Sequence, residues 1–230
     1  MNKPSVEPLS THLPCQLWLI DLTQEPAPAA WRSCHAVEHA RARRFVFERD
    51  ARRYRAAHVA MRQTLAEALK VPATDIHWET GAHGKPHLQG FPGWHFNLSD
   101  SGDWALLALN QGVPIGVDLE CHKDHLDTRS LAANHFSPAE QAALREAPSL
   151  VQSEMFLRIW SRKEACLKAL GSGLSVAPES FEAGADEAEL ATQVPVNGQA
   201  CRMSVWSLDL PLNAQGAIAL LHPQDTHLAL

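Results

Sequence analysis

The stretch Gly116-Val117-Asp118-Leu119-Glu120 alternates apolar and acidic residues. On a β-strand, successive side chains point to opposite faces. Asp118 and Glu120 would then project together, while Val117 and Leu119 face a core. Two carboxylates at that spacing repel unless a cation or a basic group stands between them. Magnesium suits oxygen ligands and commonly uses one or two carboxylates together with substrate phosphates. A solvent-facing strand end fits the same five residues, and D-x-E alone does not decide between the two.

About forty residues further on stands Trp160-Ser161-Arg162-Lys163-Glu164-Ala165-Cys166-Leu167-Lys168. Trp160, Glu164 and Lys168 are spaced by four, so on a helix they share one face. In isolation a Glu–Lys pair at that spacing is an ordinary surface pair, worth roughly 0.2–0.5 kcal/mol. The helix is expected from about Val151 to Leu170, with Gly171 as its C-cap. Ser137-Pro138-Ala139-Glu140 carries the signature of an earlier helix start, a serine N-cap, proline at the first position and a glutamate closing a capping box.

Upstream, CQLWLIDL (15–22) reads as a strand. His35 to Lys70 reads as one long helix, because Tyr54, Ala57, Met61, Leu65 and Leu69 recur at steps of three or four. Asp75–Glu79 reads as a short strand and Gly81–Pro86 as a turn. HFNLS and WALLAL read as two strands joined through Asp100, Ser101, Gly102 and Asp103. RMSVWSLDL and AIALL supply strands near the end of the chain. The order predicts an α+β fold of two similar halves, each a long helix with a hairpin that ends in an Ala/Leu/Ile strand. The break is expected near residue 112, giving halves 1–112 and 113–230.

The formal net charge of −6 argues against a general nucleic-acid binder. Eight of the fourteen arginines nevertheless fall between Arg41 and Arg62. That basic concentration suits a defined anionic ligand, although Glu38, Glu48, Asp50 and Glu67 among them would also make a solvated helix face. The five cysteines are scattered, with no C-x-x-C, so neither a disulfide framework nor a zinc ribbon is expected. The polar N-terminus lacks a signal-peptide core, and no apolar run approaches a membrane span. A cytoplasmic location is the expectation.

Taken together, G-V-D-L-E and W-S-R-K-E-A-C-L-K closely resemble the paired signature of the Sfp-type 4′-phosphopantetheinyl transferases. The resemblance extends through the Arg-rich helix, Gly84-Lys85-Pro86, Phe96-Asn97-Leu98-Ser99 and Phe136-Ser137, covering roughly residues 38 to 182. It implies an enzyme that moves the phosphopantetheine arm of coenzyme A onto a serine of an apo acyl or peptidyl carrier protein and releases 3′,5′-ADP. It also implies that Asp118, Glu120 and Glu164 bind magnesium and that Lys168 contacts the cofactor phosphates. Gly84, Lys85 and Pro86 match a turn near the adenine, and Ser99 a residue beside the pyrophosphate. Arg41 and Arg53 lie where basic residues approach the 3′-phosphate. Glu164, directly or through a bound water, is the candidate base for the carrier serine, with Lys168 as its catalytic partner. The length resembles monomeric members built as pseudo-dimers, with coenzyme A in the cleft between halves.

One position departs from the pattern. Where the family usually has histidine in F-N-x-S-H-S, this chain has Asp100. An ionised aspartate repels phosphates, so it must turn away, help to hold a cation, or be compensated by neighbouring arginines. Alternative readings are a homologue that binds coenzyme A or a carrier without transfer, and another magnesium-dependent phosphotransferase or nuclease using the same acids. Cys121, His122, His125 and His135 follow no standard transition-metal spacing.

Overall fold

The structure is a computed structural model, and it describes residues 5–81, 83–122, 127–172, 175–186 and 188–228. Two four-stranded antiparallel sheets stand back to back. The first contains β1 (Val6–Pro8), β2 (Gln16–Asp21), β5 (Trp94–Ser101) and β6 (Trp104–Gln111), in the order β1-β2-β6-β5. The second contains β7 (Ile115–Cys121), β8 (Leu190–Val196), β9 (Gln199–Leu208) and β10 (Ala214–Leu221), in the order β7-β10-β9-β8. A small hairpin, β3 (Trp78–Thr80) with β4 (Pro86–Leu88), forms a separate two-stranded sheet that packs against the first.

The helices are α1 (Pro28–Arg32), α2 (Ala36–Ala42), α3 (Glu48–Leu69), α4 (Thr128–His135), α5 (Pro138–Glu146) and α6 (Ser149–Leu170). Each sheet repeats one construction. A strand leads to a long helix, and a later hairpin returns with its second strand beside the first. In the first sheet these parts are β2, α3, β5 and β6; in the second they are β7, α6, β9 and β10.

Side-chain alternation assigns the layers. On β6, Ala105, Leu107 and Leu109 pack with Ala56, Ala60 and Leu65 of α3. The alternate residues Leu106 and Ala108 meet Ile115, Val117 and Leu119 of β7 and Ile218 and Leu220 of β10. The other face of β10, Ala217 and Ala219, packs with Ala165 and Ala169 of α6. The stack is therefore helix, sheet, sheet, helix. Small residues on α3 and α6 let both helices lie close to their sheets.

Two expected elements differ. The helix expected over 35–70 is broken into α2 and α3, because Phe47 is extended at φ −103° and ψ 131°. The break turns Phe45 onto Tyr54, with ring centroids 5.4 Å apart, so the aromatic contact replaces helical continuity. The strand expected over 75–79 begins only at Trp78; Ala73–Asp75 form a single 3₁₀ turn. The carbonyl of buried Ile76 accepts from the Arg62 guanidinium instead of from a neighbouring strand. The capping box does form: Ser137 Oγ accepts from Glu140 N at 3.3 Å, and the Glu140 carboxylate accepts from Ser137 N at 2.9 Å.

The tightest contact in the second layer pair is at Gly116. A Cβ there would stand 2.1 Å from the Ala165 carbonyl oxygen and 2.3 Å from the Ala169 nitrogen. Both atoms belong to the backbone of α6 and cannot swing aside. Gly116→Ala should therefore lower unfolding free energy by about 3 kcal/mol or more, at the upper end of overpacking costs. Urea unfolding measures this, and a loss under about 1 kcal/mol would contradict the close approach.

Candidate active site

Strand β7 delivers Asp118 and Glu120 to the α6 side, because Val117 and Leu119 are taken by the interface between the sheets. Helix α6 delivers Glu164 and Lys168 from one of its faces. Asp118 is only 3% exposed. Its Oδ1 accepts from Lys168 Nζ at 2.6 Å and from Ser99 Oγ at 3.0 Å, and Lys168 Nζ stands 2.8 Å from the same hydroxyl. Its Oδ2 is buried and has no hydrogen-bond partner among the described residues. Glu120 accepts from Ser101 Oγ at 3.4 Å. Burial raises the pKa of Glu164, and the charges of Asp118 and Glu120 raise it further, while Lys168 opposes them.

Among the described residues, no three His, Cys, Asp or Glu side chains stand close enough in this conformation to share an ion. His135 lies edge-on to Trp160, with centroids 5.3 Å apart, and Cys121 Sγ contacts the Ser101 carbonyl. His125 lies outside the described residues.

Strand β5 also borders a cavity of about 570 Å³, and Asn97 lines that cavity as well as reaching β7. Asn97, Ser99 and Ser101 of β5 reach β7: Asn97 Oδ1 accepts from Val117 N at 2.8 Å, and Ser101 Oγ accepts from Cys121 N at 3.1 Å. On the other side of β5, the cavity wall includes Arg41, Arg53, Tyr54, Trp78, Pro86 and Asp100. Arg53 Nε donates to Asp103 Oδ1 at 2.8 Å. The Arg41 guanidinium lies 5.6 Å from the centre of the Phe45 ring. The site residues expected from sequence therefore fall into two groups. Ser99, Asp118, Glu120, Glu164 and Lys168 gather around β7 and α6, and Arg41, Arg53 and Pro86 line the cavity.

Two models of known families match the chain. The model described as 4′-phosphopantetheinyl transferase superfamily matches residues 114–209. The model described as 4′-phosphopantetheinyl transferase, N-terminal, matches residues 23–112. The 4′-phosphopantetheinyl transferase psf-1 of Bacillus pumilus is 37% identical over 173 residues, covering 75% of this chain and 73% of that protein. The chain belongs to the 4′-phosphopantetheinyl transferase superfamily. The transferase Sfp of Bacillus subtilis (strain 168) is 30% identical over 168 residues, 73% of this chain and 74% of that protein. The L-aminoadipate-semialdehyde dehydrogenase-phosphopantetheinyl transferase of Mus musculus is 31% identical over 196 residues, 78% of this chain and 61% of that protein.

Within the transferase motif Gly84-Lys85-Pro86, Gly84 is exposed at φ +91°, as a left-handed turn position requires. The Lys85 side chain does not face outward from this turn. It turns inward, and its amine donates to the Ala169 carbonyl at 2.6 Å and the Ile115 carbonyl at 3.2 Å. Sequence gave no signal for this, since a lysine between glycine and proline reads as an exposed turn residue. Lys163 was likewise hidden inside W-S-R-K-E. It is buried, and it pairs with Glu140 at 2.8 Å and donates to the carbonyls of Pro178 and Phe181.

Burial pushes the Lys85 ammonium down to about 7 from an ordinary value of 10.5. Between those values the folded chain binds fewer protons than the unfolded chain. Stability therefore rises with pH across that window, and this contribution is lost as pH falls through 7. Lys85→Met removes the dependence. The unfolding free energy of the wild type relative to Lys85→Met should grow from about pH 7 to about pH 9, by on the order of 1 kcal/mol per pH unit. Denaturant unfolding of both proteins measures it; a pH-independent difference would mean that Lys85 keeps its ordinary titration.

Proposed function

We propose that this chain transfers the 4′-phosphopantetheine arm of coenzyme A to a serine hydroxyl of an apo carrier protein. The observation that carries the reading is the buried Oδ2 of Asp118, which has no hydrogen-bond partner among the described residues, beside Glu120, Glu164 and Lys168. A buried carboxylate oxygen without a donor is costly unless a cation reaches it. Oxygen-only donors suit magnesium. Asp118, Glu120 and Glu164 would hold it, and the ion would offset the charge of the pyrophosphate when bound.

The remaining chemistry belongs to the chain. Lys168 contacts a pyrophosphate oxygen, and Ser99 lies beside it. Arg41 and Arg53 engage the 3′-phosphate, and the Gly84–Pro86 turn borders the adenine. The carrier serine oxygen attacks the phosphorus that bears the pantetheine arm. The bond from that phosphorus to the bridging oxygen breaks, and 3′,5′-ADP leaves. Glu164 takes the serine proton; burial and the neighbouring Asp118 charge raise its pKa, which makes its carboxylate a better proton acceptor. Positioning and charge compensation supply most of the acceleration in such a displacement.

In this reading the division into 1–112 and 113–230 puts the cofactor in the cleft between the halves, and the protein works as a monomer in the cytoplasm. The absence of a membrane-crossing helix among the described residues supports that location. Two similar sheets within one chain support the monomer.

The decisive experiment is intact-mass measurement of an apo carrier protein incubated with this protein, coenzyme A and magnesium. The expected result is a gain of one phosphopantetheine arm, abolished by chelator and slowed about 10²-fold or more in Glu164→Gln. Coenzyme A binding without mass gain across several carriers would favour a non-transferring homologue. Full turnover by Glu164→Gln would remove its role as base.

Asp100 gives a second test. It stands in the cavity wall with Arg41 and Arg53, where its charge opposes an incoming phosphate. Asp100→His should lower the KM for coenzyme A severalfold with kcat little changed. Steady-state kinetics decide this, and a large loss of activity would assign the aspartate a positive role.

A further inference from the structure

The geometry points to Lys168 as an internal counter-ion of Asp118 that makes the binding of the divalent ion and of coenzyme A mutually dependent. This inference rests on the magnesium and coenzyme A reading above. It adds a linkage between the two ligands, carried by one side chain of α6.

The two oxygens of Asp118 have different surroundings. Oδ1 is held by the Lys168 ammonium at 2.6 Å and by the Ser99 hydroxyl at 3.0 Å. Oδ2 is buried and has no partner among the described residues. The ammonium thus neutralises a carboxylate whose other oxygen is available as a ligand. A divalent ion drawn to Oδ2 would meet a positive charge across the same carboxylate, and like charges so close in a partly buried site repel strongly. In the chain alone, Lys168 therefore weakens the ion.

The Lys168 side chain is 30% exposed, so it has room to leave Oδ1, whereas Asp118 is held in its strand. The pyrophosphate of coenzyme A offers the ammonium another anionic partner. Once Lys168 engages phosphate, Asp118 is left to the ion, and the phosphate oxygens bind the ion as well. Each ligand then removes part of the obstacle to the other. Such coupling is reciprocal by thermodynamic necessity. Ser99 contacts both groups and keeps Oδ1 hydrogen-bonded after the ammonium departs. A surface Glu–Lys pair would have no comparable consequence, because its charges are screened by water.

The test uses Mn²⁺ as the probe, with free ion counted by electron paramagnetic resonance, with and without coenzyme A and with no carrier protein present. In the wild type, coenzyme A should tighten Mn²⁺ binding by a large factor. In Lys168→Met, binding without coenzyme A should tighten about tenfold or more, and the factor gained from coenzyme A should shrink. Lys168→Arg retains the charge and should behave as the wild type does without coenzyme A. Lys168→Gln is a second neutral variant, should Lys168→Met fail to fold. The inference is overturned if neutral variants bind Mn²⁺ without coenzyme A no more tightly than the wild type, or if the coenzyme A factor is unchanged. A wild type that binds no Mn²⁺ even with coenzyme A would instead overturn the metal reading itself.

Discussion

Helix α6 can lie against β7 only because residue 116 has no side chain. The carbonyl of Ala165 and the nitrogen of Ala169 occupy the space where a Cβ would be. That one contact fixes the height and rotation of the helix over the strand. Asp118 and Glu120 follow on the same face of β7, at the period of two that a strand imposes. Glu164 and Lys168 flank the contact on α6, at the period of four that brings helical residues together. The 2.6 Å contact between Lys168 and Asp118 follows from these two periods meeting at a glycine. Lys85 then ties a third element to the joint, since its amine reaches both the end of α6 and the start of β7.

The buried charges of this protein fall into two kinds. Glu38 is matched by Arg62 and His58, and Glu140 by Lys163 and two backbone amides. The Arg162 guanidinium is surrounded by carbonyls, among them those of Ala183 and Asp186. Such groups lock loops to helices, and removing one partner would leave the other stranded. The acids beside α6 are different. Asp118 keeps a bare oxygen, and the pKa of Glu164 rises partly through its neighbours' charges. Fully matched charges in the frame, beside a buried carboxylate with one oxygen open among the described residues, are the pattern expected where charge is reserved for a ligand.

Much of this was legible in the sequence because it rests on local periodicity. The face of β7, the start of α5 at Ser137, the long helix ending at Gly171 and the β5–β6 hairpin all came from spacing and capping chemistry. Strand β8 lies outside the strands expected above, although its turn carries a local signal. Asn197 and Gly198 both adopt positive φ between Val196 and Gln199, as an Asn-Gly hairpin turn requires. The break at Phe47 and the inward turn of Lys85 had no local signal. Each depends on a distant partner: Tyr54 for the aromatic ring at the break, and the carbonyls of Ile115 and Ala169 for the lysine. The separation of the site into an acidic cluster and a cavity was equally invisible, since it arises from two sheets meeting along β5 and β7.

That separation answers the question raised by Asp100. On β5, Asn97, Ser99 and Ser101 face β7 and its acids. Residue 100 lies between the last two, so the pleat sends it the other way. Its place in the cavity wall with Arg41 and Arg53 agrees with that direction. Asp100 therefore stands on the opposite side of β5 from Asp118. Its charge bears on the side of the strand that carries Arg41 and Arg53. A substitution at residue 100 therefore acts on the cavity side of β5, while Asp118, Glu120 and Glu164 across the strand are left as they are.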